Sequence, residues 1–283
     1  MVFRNSETAS LRSVVVSSGD HFPSTLLPEH IINQTMEQTH AAGEMLLPNV
    51  AKRQLQDLTK LLSQLGVEVI TPPNQKISCS QIYTRDPFIA INDKIILSRM
   101  KEEVRRDEVA IFASLFSDSA KLCYLPEDCF LEGGDVLLDE DFVYVGVGNR
   151  TNWEAVRWLI QEFPHKKIVP LKLNDGILHL DCCLNLFGED GVVIFRAGID
   201  DQEVLPRLSP VRRNYIFVSK REQTRLGTNF LCVSTETIIL GDDTPYLYQS
   251  LRQQGQNVIT MNFSQPLLLG GKLRCCSNDI ERF

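Results

Sequence analysis

The sequence predicts an α/β fold in which a strand–turn–strand–helix–strand unit recurs five times and closes into a ring. Three observations carry this: a succession of strand-like and helix-like apolar patterns that recurs roughly every 45 to 50 residues, polar turns between paired apolar runs, and a short polar segment at each junction. Radial repetition hides strand edges and leaves a central channel where loops from every unit meet. The N-terminal unit begins with Ser13-Val14-Val15-Val16, carries a long insertion over residues 18–49, and continues as a helix over residues 50–65 and a strand over residues 67–70. The insertion reads equally as a lid over the channel or as an ordinary surface excursion.

The second unit pairs Phe88-Ile89-Ala90-Ile91 with Lys94-Ile95-Ile96-Leu97 across the turn Asn92-Asp93. A helix bearing Val104, Val109, Phe112 and Phe116 then leads to the strand Lys121-Leu122-Cys123-Tyr124. The third unit is the clearest. Its hairpin runs from Asp135-Val136-Leu137-Leu138 to Phe142-Val143-Tyr144-Val145-Gly146, Thr151 or Asn152 caps a helix from Trp153, and Lys167-Ile168-Val169-Pro170 closes it. The fourth shows only a hairpin, Cys183 to Phe187 against Val192 to Phe195. The fifth pairs Phe230-Leu231-Cys232-Val233 with Thr237-Ile238-Ile239-Leu240, followed by a helix over residues 246–253, a stop at Gly255 and a strand over residues 257–260.

At 283 residues and 43% apolar composition, the chain can bury a large core, and the repeats favour one domain over residues 1–283. A formal net charge of −7 argues against nucleic acid or an anionic membrane as the main partner. No run of about 18 apolar residues and no signal-peptide pattern is present, so a cytoplasmic location is expected. The eight cysteines include two adjacent pairs but no CxxC, which favours reduced thiols over a disulfide framework or a zinc site.

The junctions hold the candidate chemistry. Asp86, in Thr84-Arg85-Asp86-Pro87, is either a turn acid before proline or an inward carboxylate, and Glu132 and Asp135, in Glu132-Gly133-Gly134-Asp135, read as inward or solvated acids. In His179-Leu180-Asp181, strand alternation would put His179 and Asp181 on one face, where the carboxylate could fix the imidazole's tautomer. Cys275 follows Gly270-Gly271-Lys272-Leu273-Arg274. Glycines permit positive φ or close approach and a neighbouring cation lowers a thiol's pKa, so Cys275 reads as a presented nucleophile, with core filler as the alternative. One cysteine, one histidine and several acids suit a planar cation such as a guanidinium, whose fixed N–H fork carboxylates accept.

In order along the chain, the motifs TRD, EGGDV, GxRTN, HxD and GG with a late cysteine resemble the guanidine-modifying, or pentein, superfamily. That superfamily includes arginine deiminases, dimethylarginine dimethylaminohydrolases, agmatine deiminases and amidinotransferases. The resemblance spans nearly the whole chain and implies a five-bladed α/β-propeller of ββαβ units. It further implies that Cys275 is the nucleophile, His179 the general acid/base, Glu132 its carboxylate partner, and Asp86 and Asp181 the guanidinium holders. Arg105 and Arg150 are implied at the substrate's α-carboxylate, with Arg274 there or beside the thiolate. The length is closer to dimethylarginine hydrolases, whereas HxD and TRD are deiminase-like forms.

The implied reaction is thiolate attack on the guanidino carbon, a covalent amidino intermediate, and hydrolysis to a ureido product and ammonia or an amine, with no metal or cofactor. Its small-molecule substrate would be arginine, a methylarginine or a similar guanidino compound, and a homodimer is compatible with this reading. An amidinotransferase using the same intermediate is the nearest alternative, although the Gly133-Gly134-Asp135 form leans toward hydrolases by resemblance. A non-catalytic binding protein of the same fold is the other, and it would not need Cys, His and acids together.

Overall fold

The computed structural model describes residues 2–117, 121–200 and 204–283. Its strands are β1 (Leu11–Val16), β2 (Glu68–Ile70), β3 (Phe88–Ile91), β4 (Lys94–Leu97), β5 (Lys121–Tyr124), β6 (Val136–Asp139), β7 (Phe142–Val147) and β8 (Lys167–Lys172), then β9 (Leu184–Phe187), β10 (Gly191–Ile194), β11 (Asn214–Phe217), β12 (Leu231–Cys232), β13 (Thr237–Gly241), β14 (Asn257–Met261) and β15 (Ser277–Arg282). They form five three-stranded sheets of one topology: an antiparallel pair, then a strand parallel to the middle one. A parallel neighbour needs a crossover, supplied by the helices Pro48–Gln64, Glu108–Phe116, Trp153–Glu162 and Pro245–Gln253.

Local sequence explains each step. Asn92 and Glu140 take positive φ at the tight turns between β3 and β4 and between β6 and β7, a conformation that Asn tolerates better than most residues. Asn152 caps the helix Trp153–Glu162 by accepting from the Ala155 N–H at 3.1 Å. Pro170 is accommodated because β8 is an edge strand that pairs only with β7.

The inner strands are apolar on both faces, and each face packs on a different neighbour. In β3, Phe88 and Ala90 join a cluster with Val15 of β1 and Ile280 of β15, while Ile89 and Ile91 join one with Val136 and Val143 of the third sheet. The third, fourth and fifth sheets share a further cluster, and Ile239 of β13 meets Val14 and Val16 of β1.

Three features depart from the sequence reading. The N-terminal unit takes its antiparallel strand from the opposite end of the chain, where β15 pairs with β1. The fourth unit has a third strand, β11, reached through the short helix Val204–Arg207 and not through a long amphipathic one; residues 201–203 lie outside the described residues. The second unit's helix is split into a 3₁₀ turn, Glu103–Arg105, and the helix Glu108–Phe116.

A buried ion network joins the N-terminal segment to the C-terminal strand. Asp279 meets Arg85 at 2.9 Å, Arg282 at 2.8 Å and Arg4 at 3.3 Å, and Glu7 meets Arg274 at 3.2 Å. Such charges are tolerated in a core only when paired this fully.

Candidate active site

Each sheet's first strand is entered through a buried polar junction, and five such junctions converge. Asp86 and Cys275 stand two residues ahead of β3 and β15. Glu132 and His179 are extended residues immediately before the 3₁₀ turns Gly133–Asp135 and Leu180–Cys182, so their side chains project where the backbone tightens. His179 and Asp181 therefore do not alternate on one strand face, because residues 180–182 are turn, not strand. The carboxylates that reach the imidazole come from other units: Glu132 Oε2 lies 2.9 Å from Nε2 and Asp86 Oδ1 3.7 Å from Nδ1.

Cys275, His179, Asp86, Arg105 and Arg150 line one cavity, together with Ser80, Tyr83, Leu178, Leu269, Gly270, Ile32 and Asn33. Its volume is about 10 Å³, around the least that one water needs. Ile32 and Asn33 come from the inserted segment. The Ile32 carbonyl accepts from Arg150 Nη2 at 2.5 Å, and Asn33 Nδ2 donates to the Leu269 carbonyl at 3.1 Å. Beyond them lies an outer cleft of about 520 Å³ that shares Arg150, Leu178, Ile32 and Asn33 with the inner cavity. The glycine pair before Cys275 uses both of its freedoms. Gly270 has φ +95°, and a side chain on Gly271 would begin 2.2 Å from the Tyr83 ring.

The two arginines differ. Arg105 is committed, with Nη1 on Asp86 Oδ2 at 2.7 Å and its other nitrogens on Glu108, so at this site it fixes Asp86. Arg150 stands at the opening, 3.6 Å from Glu132 Oε2 and 3.8 Å from Glu102 Oε1. Asp181 is held by Arg274 Nη1 at 2.8 Å and lies 3.8 Å from Cys275 Sγ. Arg274 turns away from the cavity, toward Glu7 and the Val136 carbonyl.

Burial works against the His179 cation, but Asp86, Asp135 and Glu132 outweigh it and push the imidazole up to about 9. Burial likewise opposes the Glu132 anion, yet the His179 hydrogen bond and the charges of His179, Arg150 and Arg105 hold it down at about 2. Cys275 moves the other way: burial first, then Asp181 and Asp86, push its thiol well above the usual range. The resting site is a neutral thiol beside an imidazolium–carboxylate pair.

Asp86, Glu132 and His179 also bring one ligand atom each within 4.8 Å of one another, the one such set among the described residues. Two of the three, His179 and Glu132, are hydrogen-bonded to each other at 2.9 Å.

One residue escaped the sequence reading. Asn229 stands two residues ahead of β12, as Asp86 and Cys275 do ahead of β3 and β15, and its amide meets Cys275 at both Sγ and the main-chain N. Its place directly before the apolar run Phe230-Leu231-Cys232-Val233 was the available signal.

The family model for N,N dimethylarginine dimethylhydrolase, eukaryotic, matches residues 23–282. The chain belongs to that family. As a dimethylarginine dimethylhydrolase family member, it falls within the pentein guanidine-modifying superfamily. It is 32% identical over 278 residues to the uncharacterized protein YkgA of Bacillus subtilis (strain 168), covering 98% of this chain and 94% of YkgA. It is 25% identical to the bifunctional arginine dihydrolase/ornithine cyclodeaminase AgrE of Nostoc sp. (strain PCC 7120 / SAG 25.82 / UTEX 2576), covering 87% of this chain but 35% of AgrE. With the arginine deiminase of Staphylococcus aureus (strain JH9) it is 26% identical, over 71% of this chain and 61% of the deiminase. Among solved structures, the N-terminal domain of ArgZ, an arginine dihydrolase from the ornithine–ammonia cycle in cyanobacteria, superposes with a TM-score of 0.85 at 20% identity, covering 96% of this chain and 98% of that one. SxtG, an amidinotransferase from Microseira wollei in the saxitoxin biosynthetic pathway, superposes with a TM-score of 0.83 at 17% identity, covering 99% and 97%. Among the described residues no helix is long and apolar enough to cross a membrane.

Proposed function

We propose that this chain is a thiol-dependent hydrolase of a small guanidino compound such as arginine or a methylarginine, working from a single domain in which the five sheets close as a five-bladed propeller. The observation that carries the reading is Cys275, His179 and Asp86 lining one cavity, with Glu132 on the far nitrogen of His179. The clusters that link neighbouring sheets, including the fifth to the first, support the ring. Cys275 is the nucleophile, His179 the acid/base and Glu132 its anchor; Asp86 and Asp181 supply negative charge for the guanidinium, and Arg150 faces the substrate's outer end.

The neutral resting thiol gives the cation a role in catalysis. A guanidinium beside Cys275 favours the thiolate, whose proton leaves to solvent. Sulfur then attacks the guanidino carbon, the His179 imidazolium protonates the departing nitrogen, and the C–N bond breaks to give an amidino thioether. Water next gives a proton to His179 and adds to that carbon. The C–S bond breaks while the added hydroxyl loses its remaining proton to solvent, returning the thiolate and a neutral ureido product. A guanidinium does not fit in about 10 Å³, so entry requires a shift among the residues shared by the cavity and the outer cleft, Ile32, Asn33, Arg150 and Leu178.

The test is a panel of guanidino compounds incubated without an amine acceptor, scoring ureido product and released ammonia or amine. Equal amounts of the two are expected. Turnover only when an amine is added would make the chain a transferase, and no product with no covalent adduct would make it a binding protein. Gly134→Ala supplies a second check. Its Cβ would sit 2.7 Å from His179 Nδ1 and 3.0 Å from Asp86 Oδ1, forcing the two apart. Displacement on that scale is expected to cost ~10²-fold in kcat/KM while leaving most of the Tm intact.

A further inference from the structure

We infer that Asn229 is the positioning residue of the Cys275 sulfur: it fixes the side chain's direction and supplies the N–H donor that stabilises the thiolate. The inference rests on the reading of Cys275 as nucleophile. Asn229 is fully buried, and the two arms of its amide reach two atoms of the same residue. Oδ1 accepts from the Cys275 main-chain N–H at 3.0 Å, and Nδ2 lies 3.1 Å from Sγ. The first bond fixes the second. A backbone N–H must face an acceptor, so the oxygen arm points there and the NH₂ arm is left toward sulfur.

The sulfur lies between that donor and Asp181 Oδ2 at 3.8 Å. In the neutral thiol the S–H points at Asp181 and Asn229 donates to the sulfur lone pair. Once the proton leaves, the Asp181 contact turns repulsive, moderated by Arg274, whereas the Asn229 contact becomes charge-assisted and stronger. Asn229 thus acts differentially on the form that attacks. The other ionisable groups around Cys275 are Asp86, Arg105, Arg150, His179 and Tyr83 in the cavity, Cys182, Cys276, and Asp181 with Arg274 behind it. Substituting Asn229 leaves all of them in place.

The experiment measures the rate of Cys275 alkylation by 2-chloroacetamidine against pH, with mass spectrometry separating Cys275 from Cys276. It uses the full chain and its N229D, N229A and N229S variants. N229D keeps the acceptor for the Cys275 N–H but faces the sulfur with a carboxylate. The thiol midpoint is expected to rise by about one pH unit or more in N229D and N229A, about a tenfold slower reaction near neutral pH. N229S, which keeps a hydroxyl donor, is expected between them and the parent, and it decides the matter if the other two fail to fold. A lower Tm with an unmoved midpoint would make Asn229 purely structural and overturn the inference. Absence of Cys275 alkylation in the folded parent would instead overturn the nucleophile reading.

Discussion

Cys275→Ser is expected to lower turnover of the guanidino substrate by about four orders of magnitude or more, and to abolish the covalent adduct, while Cys276→Ala stays close to the parent. The adjacent thiols are nearly matched in burial and sequence context, so position separates them. Cys275 lines the cavity, has Asn229 on its sulfur and Asp181 at 3.8 Å. Cys276 is fully buried in the apolar cluster with Leu231, Leu273 and Tyr83, and burial pushes its thiol up as well. Removing its sulfur costs packing, about 1 kcal/mol, and no chemistry. The neutral resting state adds a second readout. The cation 2-chloroacetamidine should alkylate Cys275 far faster than neutral iodoacetamide, because only the former brings the charge that ionises the thiol. Full activity in Cys275→Ser, or loss of activity confined to Cys276→Ala, would refute the assignment.

The repeat was legible because short continuous apolar runs such as Phe88-Ile89-Ala90-Ile91 and the turn Asn92-Asp93 are local signals, and local signals survive without tertiary context. What escaped was what only long-range pairing creates. β15 completes the first sheet from the far end of the chain, and Ser277-Asn278-Asp279-Ile280-Glu281-Arg282 carries too many polar residues to look like a buried strand. Asp279 and Arg282 are buried within an ion network that includes Arg4, Arg85 and Glu7, while Ser277 and Asn278 donate to backbone carbonyls. Arg85 of the TRD motif is thus fixed by a partner almost two hundred positions away, which no spacing argument reaches. The same holds at the site. His179 and Asp181 looked like partners because they are close in sequence, but a tight turn separates their side chains and the imidazole is flanked by Glu132 and Asp86 from other units. The resemblance implies Arg105 at the substrate's α-carboxylate, but its guanidinium is held by Glu108 and Asp86, contacts that no spacing argument shows.

Glu132→Gln tests the charge arrangement that the sequence could not show. Asp86 and Asp135, with Glu132 hydrogen-bonded to Nε2, outweigh burial and hold His179 at about 9, so the acid proposed to protonate the departing nitrogen is present across the neutral range. With an amide at position 132 the imidazole loses its nearest anion, and its pKa falls toward the ordinary value of 6.5. The basic limb of the kcat/KM profile should therefore move to lower pH, and activity near neutrality should drop on the order of 10³-fold or more. Stability should respond with definite signs. The His179 cation is raised on folding, so its contribution is complete below about pH 6.5 and lost as pH rises through about 9. Glu132 is depressed on folding, so its contribution is present above about pH 4.5 and lost as pH falls through about 2. Glu132→Gln should abolish the second dependence and weaken the first. It also removes the carboxylate 3.6 Å from Arg150, which keeps Glu102 at 3.8 Å and the Ile32 carbonyl, so a lower Tm is expected. An unmoved basic limb in a folded Glu132→Gln protein would show that Glu132 does not set the protonation of His179, and the acid/base assignment would have to pass to another group lining the cavity.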